Sequence, residues 1–218
     1  MAAAHFVAAE EDMITYKDLD KNKKAFIFEV DDVLYPTKDY LLQVYYLFAQ
    51  LLEYTETVPP AGDLIAFLKK AYEHHGSEGI FERAAAVFGI DGKYLENFKR
   101  MHISARLPLK LLLFGEVREL LQDIVNDGKQ ILVLTKGNPL MQLNKLKQID
   151  WGALREHVKM YFYDELILQG EVSPLGYLLA DNQLSEREVL VIGRPRLWSE
   201  GTLDNSVDYL SVESLLKG

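Results

Sequence analysis

Short apolar runs punctuate the chain. Ala25 to Val30, Ile131 to Thr135 and Val189 to Ile192 are rich in β-branched and aromatic residues, and their polar positions, Glu29 and Thr135, fall at the carboxyl ends. Such runs predict short strands buried on both sides, the pattern of a parallel sheet. Met160 to Tyr163 predicts another strand and Val207 to Leu210 a short fifth. Between them the apolar spacing changes to that of helices. Glu116 to Asn126 is one, stopped by Asp127-Gly128, followed by Pro139 to Gln148 and Pro174 to Asn182. Strands alternating with helices predict an α/β fold, a Rossmann-like parallel sheet covered on both faces.

One block breaks the alternation. From Thr37 to Leu107 the apolar positions recur only at helical spacing. Thr37 caps a first helix through Leu41, Val44, Tyr45, Phe48 and Leu52. Pro59-Pro60 breaks it, and three further helices centre on Leu64 to Tyr72, Ile80 to Phe88 and Tyr94 to Met101. The predicted organisation is a tail at 1–24, a core at 25–36 and 108–218, and an inserted helical cap at 37–107.

Composition narrows the function classes. A chain of 218 residues, 49% hydrophobic and 26% charged, suits one soluble globular domain, with or without an insertion. A net charge of −9 argues against a nonspecific nucleic-acid or anionic-membrane binder. No cysteine is present, which removes disulfides, thiolate metal sites and cysteine nucleophiles. No apolar run approaches the roughly 18 residues that span a bilayer. Met1 to Asp12 holds acids but no Lys or Arg and no apolar h-region, unlike a secretory signal, so the expectation is a cytoplasmic protein.

Three strand ends carry candidate chemistry, and in a parallel sheet they share one rim. The first ends in Glu29-Val30-Asp31-Asp32; two residues apart on a strand, Glu29 and Asp31 are expected to point the same way. The second ends in Thr135-Lys136-Gly137-Asn138, a hydroxyl and backbone amides suited to a phosphate oxygen. The fourth ends in Gly193-Arg194-Pro195-Arg196. Plainer roles exist for several of these: Thr135 as a cap, Lys136 as a solvated loop charge, Arg194 and Arg196 as surface residues. His74 and His75 are adjacent on a helix and do not share a face. Neither Gly92-Lys93 nor Gly128-Lys129 is followed by Ser or Thr, so no P-loop is present.

These stretches, in this order, resemble the haloacid dehalogenase superfamily, whose members are mostly Mg²⁺-dependent phosphatases. Its first motif, an apolar strand ending Asp-x-Asp-x-Thr/Val-Leu, matches Phe28 to Leu34. Its second matches Ile131 to Thr135, and Thr135 to Pro139 with Gln142 and Lys145 resembles its small-substrate phosphatases. Its fourth, an apolar strand then Gly-Asp, matches Val189 to Gly193, and the insertion at 37–107 stands where the family places a helical cap. The resemblance implies Glu29 at the nucleophile position and Asp31 as general acid/base. It implies phosphate binding by Thr135, Lys136 and Gly137, and Mg²⁺ held by Glu29 and the Asp31 position with an acidic residue of the fourth motif.

The departures cluster on those same positions. Glu29 replaces the aspartate nucleophile, moving the attacking oxygen by roughly 1 Å, a shift that can cost on the order of 10²-fold in rate. Arg194 replaces the acidic metal ligand, and a cation is no ligand for Mg²⁺; Glu200 or Asp204 is the alternative donor. Ser173 stands where the family's third motif usually has lysine, leaving Lys145 on the preceding helix as the alternative charge. Arg194 could instead fill the metal's seat, its guanidinium paired with Glu29 or Asp31, with no metal required. Two functions follow: a weak or inactive relative that binds a small phosphorylated or anionic ligand or a partner, or an active phosphomonoester hydrolase using Glu29 and Asp31. The expected partner is that ligand, not nucleic acid or membrane; the cap surface also allows a homo-oligomer.

Overall fold

A computed structural model describes residues 14–194 and 207–216. Five parallel strands form one sheet: Ala25–Phe28 (β1), Gln130–Thr135 (β2), Val158–Phe162 (β3), Val189–Gly193 (β4) and Asp208–Ser211 (β5), in the order β3-β2-β1-β4-β5. Phe26 lies opposite Ile131 on one side and Leu190 on the other, so β1 is central. Its alternate residues go to opposite layers. Phe26 and Phe28 join the core shared with the helical insertion, whereas Ala25 and Ile27 pack with Leu175, Leu178 and Leu179. This two-sided burial is why the strand has no polar position. Each large apolar side chain so buried contributes about 1.5–3 kcal/mol.

The helices Thr37–Glu56 (α1), Ala61–His75 (α2), Ile80–Phe88 (α3) and Leu95–Ser104 (α4) follow β1 without an intervening strand. Their core is aromatic: Phe98 lies 4.9 Å from Phe48, 5.5 Å from Phe81 and 5.9 Å from Tyr45, centroid to centroid. The chain returns through residues 105–114 to Gly115–Asn126 (α5), which Gly128 ends at a φ of 68°. Pro139–Gln148 (α6), Tyr163–Leu168 (α7) and Pro174–Asp181 (α8) complete the layers. No helix of the described residues is long and apolar enough to cross a membrane.

Three local expectations are corrected. The first strand stops at Phe28, so Glu29 and Asp31 are not on it. Thr37 is the first residue of α1, not its cap; Pro36 is the preceding residue, and Asp32 Oδ1 accepts from the Thr37 amide at 2.9 Å. The third strand begins at Val158 and gives way to α7 at Tyr163.

Candidate functional site

Strand order reverses at β1: the chain builds β2 and β3 on one side, then crosses to β4 and β5 on the other. Ligands of open α/β sheets sit at the carboxyl ends beside such a switch point. The ends of β1, β2 and β4 do lie on this rim, with the cap above them. They hold Glu29 to Asp32, Thr135 to Gly137 and Arg194.

Glu29 and Asp31 have separate surroundings. Glu29 is 4% exposed, and its Oε2 accepts from the Arg194 backbone amide at 3.0 Å. Burial pushes its carboxyl up to about 7, aided by the Asp31 charge and opposed by the Arg194 amide bond and the Lys136 and Arg194 charges. Asp31 is saturated with donors. Lys145 Nζ lies 2.8 Å from both its oxygens, Gln142 Nε2 donates to Oδ2 at 2.9 Å, and Tyr35 donates to Oδ1 at 3.2 Å. Thr37 Oγ1 is 3.4 Å from the same oxygen. Gln142 and Lys145, three residues apart on α6, share the face turned to Asp31. Gln142 Nε2 also donates to the Lys136 carbonyl at 3.0 Å, and its Oε1 is buried with no partner among the described residues.

The arginine is not where the charge argument put it. Arg194 Nη1 is 3.3 Å from Asp32 Oδ2, and only its backbone amide reaches Glu29. The counter-ion of Asp31 is Lys145, already supplied from within the core. With that cation in place, the guanidinium goes to the next carboxylate, which the turn directs outward at a φ of 57°.

The turn after β2 is partly occupied. Thr135 is buried, Lys136 lies 4.6 Å over the Tyr163 ring, and the Gly137 amide donates to Asp164 Oδ2 at 2.5 Å. Gly137 has a φ of 105°, and an added Cβ would meet Gln142 Nε2 at 3.3 Å. Asn138, not Thr135, caps α6, accepting from the amides of Leu140 and Met141. Ser173 caps α8 through the Gly176 amide at 3.1 Å. From the cap, Tyr72 lies within electrostatic reach of Asp32, Lys38, Arg194 and Asp31, and burial raises its pKa. Neither Tyr72 nor Asp164 carried a motif; both are brought in by packing.

No protein-family model and no curated protein matches the chain. Solved structures do. A hydrolase from Streptococcus pneumoniae is 20% identical, over 87% of this chain and 92% of its own, with a TM-score of 0.48. A haloacid dehalogenase-like family hydrolase from Xanthomonas campestris is 17% identical over 84% and 76%, with a TM-score of 0.42. An L-2-haloacid dehalogenase is 14% identical over 79% and 78%, with a TM-score of 0.44. At such identities no residue role passes from them to this chain.

The donor set does not suit Mg²⁺. A divalent ion beside Glu29 needs further oxygen donors, yet Lys145 already neutralises Asp31 and the Arg194 guanidinium takes Asp32, the next carboxylate along the turn. Among the described residues no cluster of three or more His, Asp or Glu side chains is arranged to hold a metal. Glu200, Asp204 and Arg196 lie outside the described residues.

Proposed function

We propose that the chain is a haloacid dehalogenase-like protein whose hydrolytic site is neutralised from within. It binds a small phosphorylated or otherwise anionic ligand at the cleft, rather than nucleic acid or membrane, with little or no turnover. The motif order, the strand order and the cap after β1 support the family. The observation that carries the functional part is the bidentate Lys145–Asp31 pair. A general acid/base must take up and release a proton during reaction. Both oxygens of Asp31 are already engaged by Lys145, and Gln142 and Tyr35 donate to them as well. At the nucleophile position a longer carboxylate is buried and tied to the Arg194 amide. Thr135 and Gln142 Oε1, the latter without a partner among the described residues, are groups for an anion that also carries a hydroxyl, with the Lys136 charge beside them.

One observation favours the second reading, an active phosphomonoester hydrolase using Glu29 and Asp31. With its carboxyl pushed up to about 7, Glu29 can exchange a proton near neutral pH. A phosphomonoester screen with and without Mg²⁺ separates the two. The binding reading expects no turnover above background, and protection from thermal unfolding by a phosphomonoester. Metal-dependent turnover abolished by Asp31→Asn would overturn it.

A further inference from the structure

We propose a second anion site outside the cleft. It lies in the groove between the cap's return segment and α6, and takes a small polyvalent phosphate-bearing anion. The groove measures about 400 Å³ and is lined by Arg106 and Lys110 of the return segment and Lys147 of α6, with Ser104, Asn144 and Gln148. No Asp or Glu lines it, in a chain whose net charge is −9.

Basic residues near helix C-termini ordinarily offset the helix dipole, and the groove lies where α4 and α6 end. Those ends are closed by other groups. The Ala105 amide donates to Met101 O at 3.0 Å, Ser104 Oγ to Arg100 O at 3.1 Å and the Leu111 amide to Gln148 O at 2.9 Å. Asn144 Nδ2 and Gln148 Nε2 both donate to Ala105 O, at 2.9 and 3.0 Å. Arg106, Lys110 and Lys147 are left exposed, and none makes a hydrogen bond or ion pair with a described residue. Three cations lining one concavity, with neither helix carbonyl nor carboxylate to satisfy them, suit an anion bound through charge-assisted hydrogen bonds. The volume admits a ligand larger than a single phosphate.

Occupancy would reach the cleft through α6. This helix presents Gln142 and Lys145 to Asp31, and Asn144 and Gln148 to Ala105 and Leu107 of the return segment. An anion spanning Arg106 and Lys147 fastens that segment to the helix that holds Asp31.

Isothermal titration of the full chain with inorganic pyrophosphate, without divalent metal, tests the proposal. The expected result is binding that weakens with added salt and falls about tenfold or more in Arg106→Gln and in Lys147→Gln. Both changes are at exposed positions, and unchanged thermal unfolding will confirm that the variants fold. Thr135→Ala and Lys136→Gln in the cleft leave this binding intact, so failure of the cleft reading and failure of the groove are distinguishable. No heat at millimolar pyrophosphate, or binding that survives both groove substitutions, overturns the site.

Discussion

Lys145 places its ammonium 2.8 Å from each carboxylate oxygen of Asp31, across 114 positions of sequence. The lysine side chain is 5% exposed and the aspartate 28%, so the pair is largely withdrawn from water. Removing one partner of a buried pair leaves the other uncompensated, which costs more than the pair itself is worth. Lys145→Gln is therefore expected to lower stability by about 2–3 kcal/mol, the low end for a buried pair because water still reaches Asp31. Lys145→Gln with Asp31→Asn is expected to cost clearly less than the sum of the single changes. Urea unfolding of the four proteins checks this; strictly additive losses sink the claim that the two charges act as a unit.

Glu29 predicts a pH dependence. Its carboxyl is pushed up to about 7 from 4.5, chiefly by burial. Between those values the folded protein holds a proton that the unfolded chain has released. Stability contributed by the protonated form is thus fully present below pH 4.5 and is lost as pH rises through about 7. Glu29→Gln keeps the acceptor for the Arg194 amide and removes the titration. The variant is expected to match the parent near pH 5 and to exceed it by about 1–3 kcal/mol at pH 8. A stability difference that stays constant from pH 5 to pH 8 refutes the assignment.

Much of this was legible in the chain and some of it was not, for identifiable reasons. β1, β2 and β4 announce themselves because burial on both faces leaves no polar residue in Phe26–Phe28, Ile131–Leu134 or Val189–Ile192. The site positions at strand ends follow from that. The partner of Arg194 does not, because the choice among three nearby carboxylates is decided by the turn. Asp32 adopts a φ of 57° and faces outward, while α6 covers Asp31 first. Asp164 had no local signal at all. Its meeting with Gly137 depends on the parallel register that sets Thr135 opposite Phe162, two residues before each.

Asp32 holds the entrance to the cap more than it holds Arg194. Its Oδ1 accepts from the Thr37 amide at the first turn of α1, and few side chains other than Asn and Asp tolerate its left-handed backbone. Asp32→Ala is expected to cost about 1–2 kcal/mol through the lost cap and the strained φ. Asp32→Asn keeps both features and should stay within about 0.5 kcal/mol of the parent. Arg194→Ala breaks only the exposed pair at 3.3 Å and should cost less than about 1 kcal/mol. Thermal and chemical unfolding rank the three; a loss in Arg194→Ala as large as in Asp32→Ala would make the ion pair, not the cap, the source of stability.

Asp164 makes the last prediction, and it concerns binding. The Gly137 amide sits at the turn after β2, next to Thr135 and Lys136, where an anion would need it. Asp164 Oδ2 already takes that amide and adds a negative charge to the same place. A phosphate entering the turn must displace this carboxylate or do without the amide. Asp164→Ala frees the donor and removes the repulsion, which together are worth about 1–2 kcal/mol, or roughly five- to thirtyfold in affinity. The variant should bind a phosphomonoester more tightly than the parent by titration calorimetry, and should gain more thermal stability from saturating ligand. Glycine at 137 tolerates the freed backbone without strain because its positive φ is open to it. If Asp164→Ala binds no better, or worse, while its unfolding temperature is unchanged, then the turn after β2 is not where the anion is held.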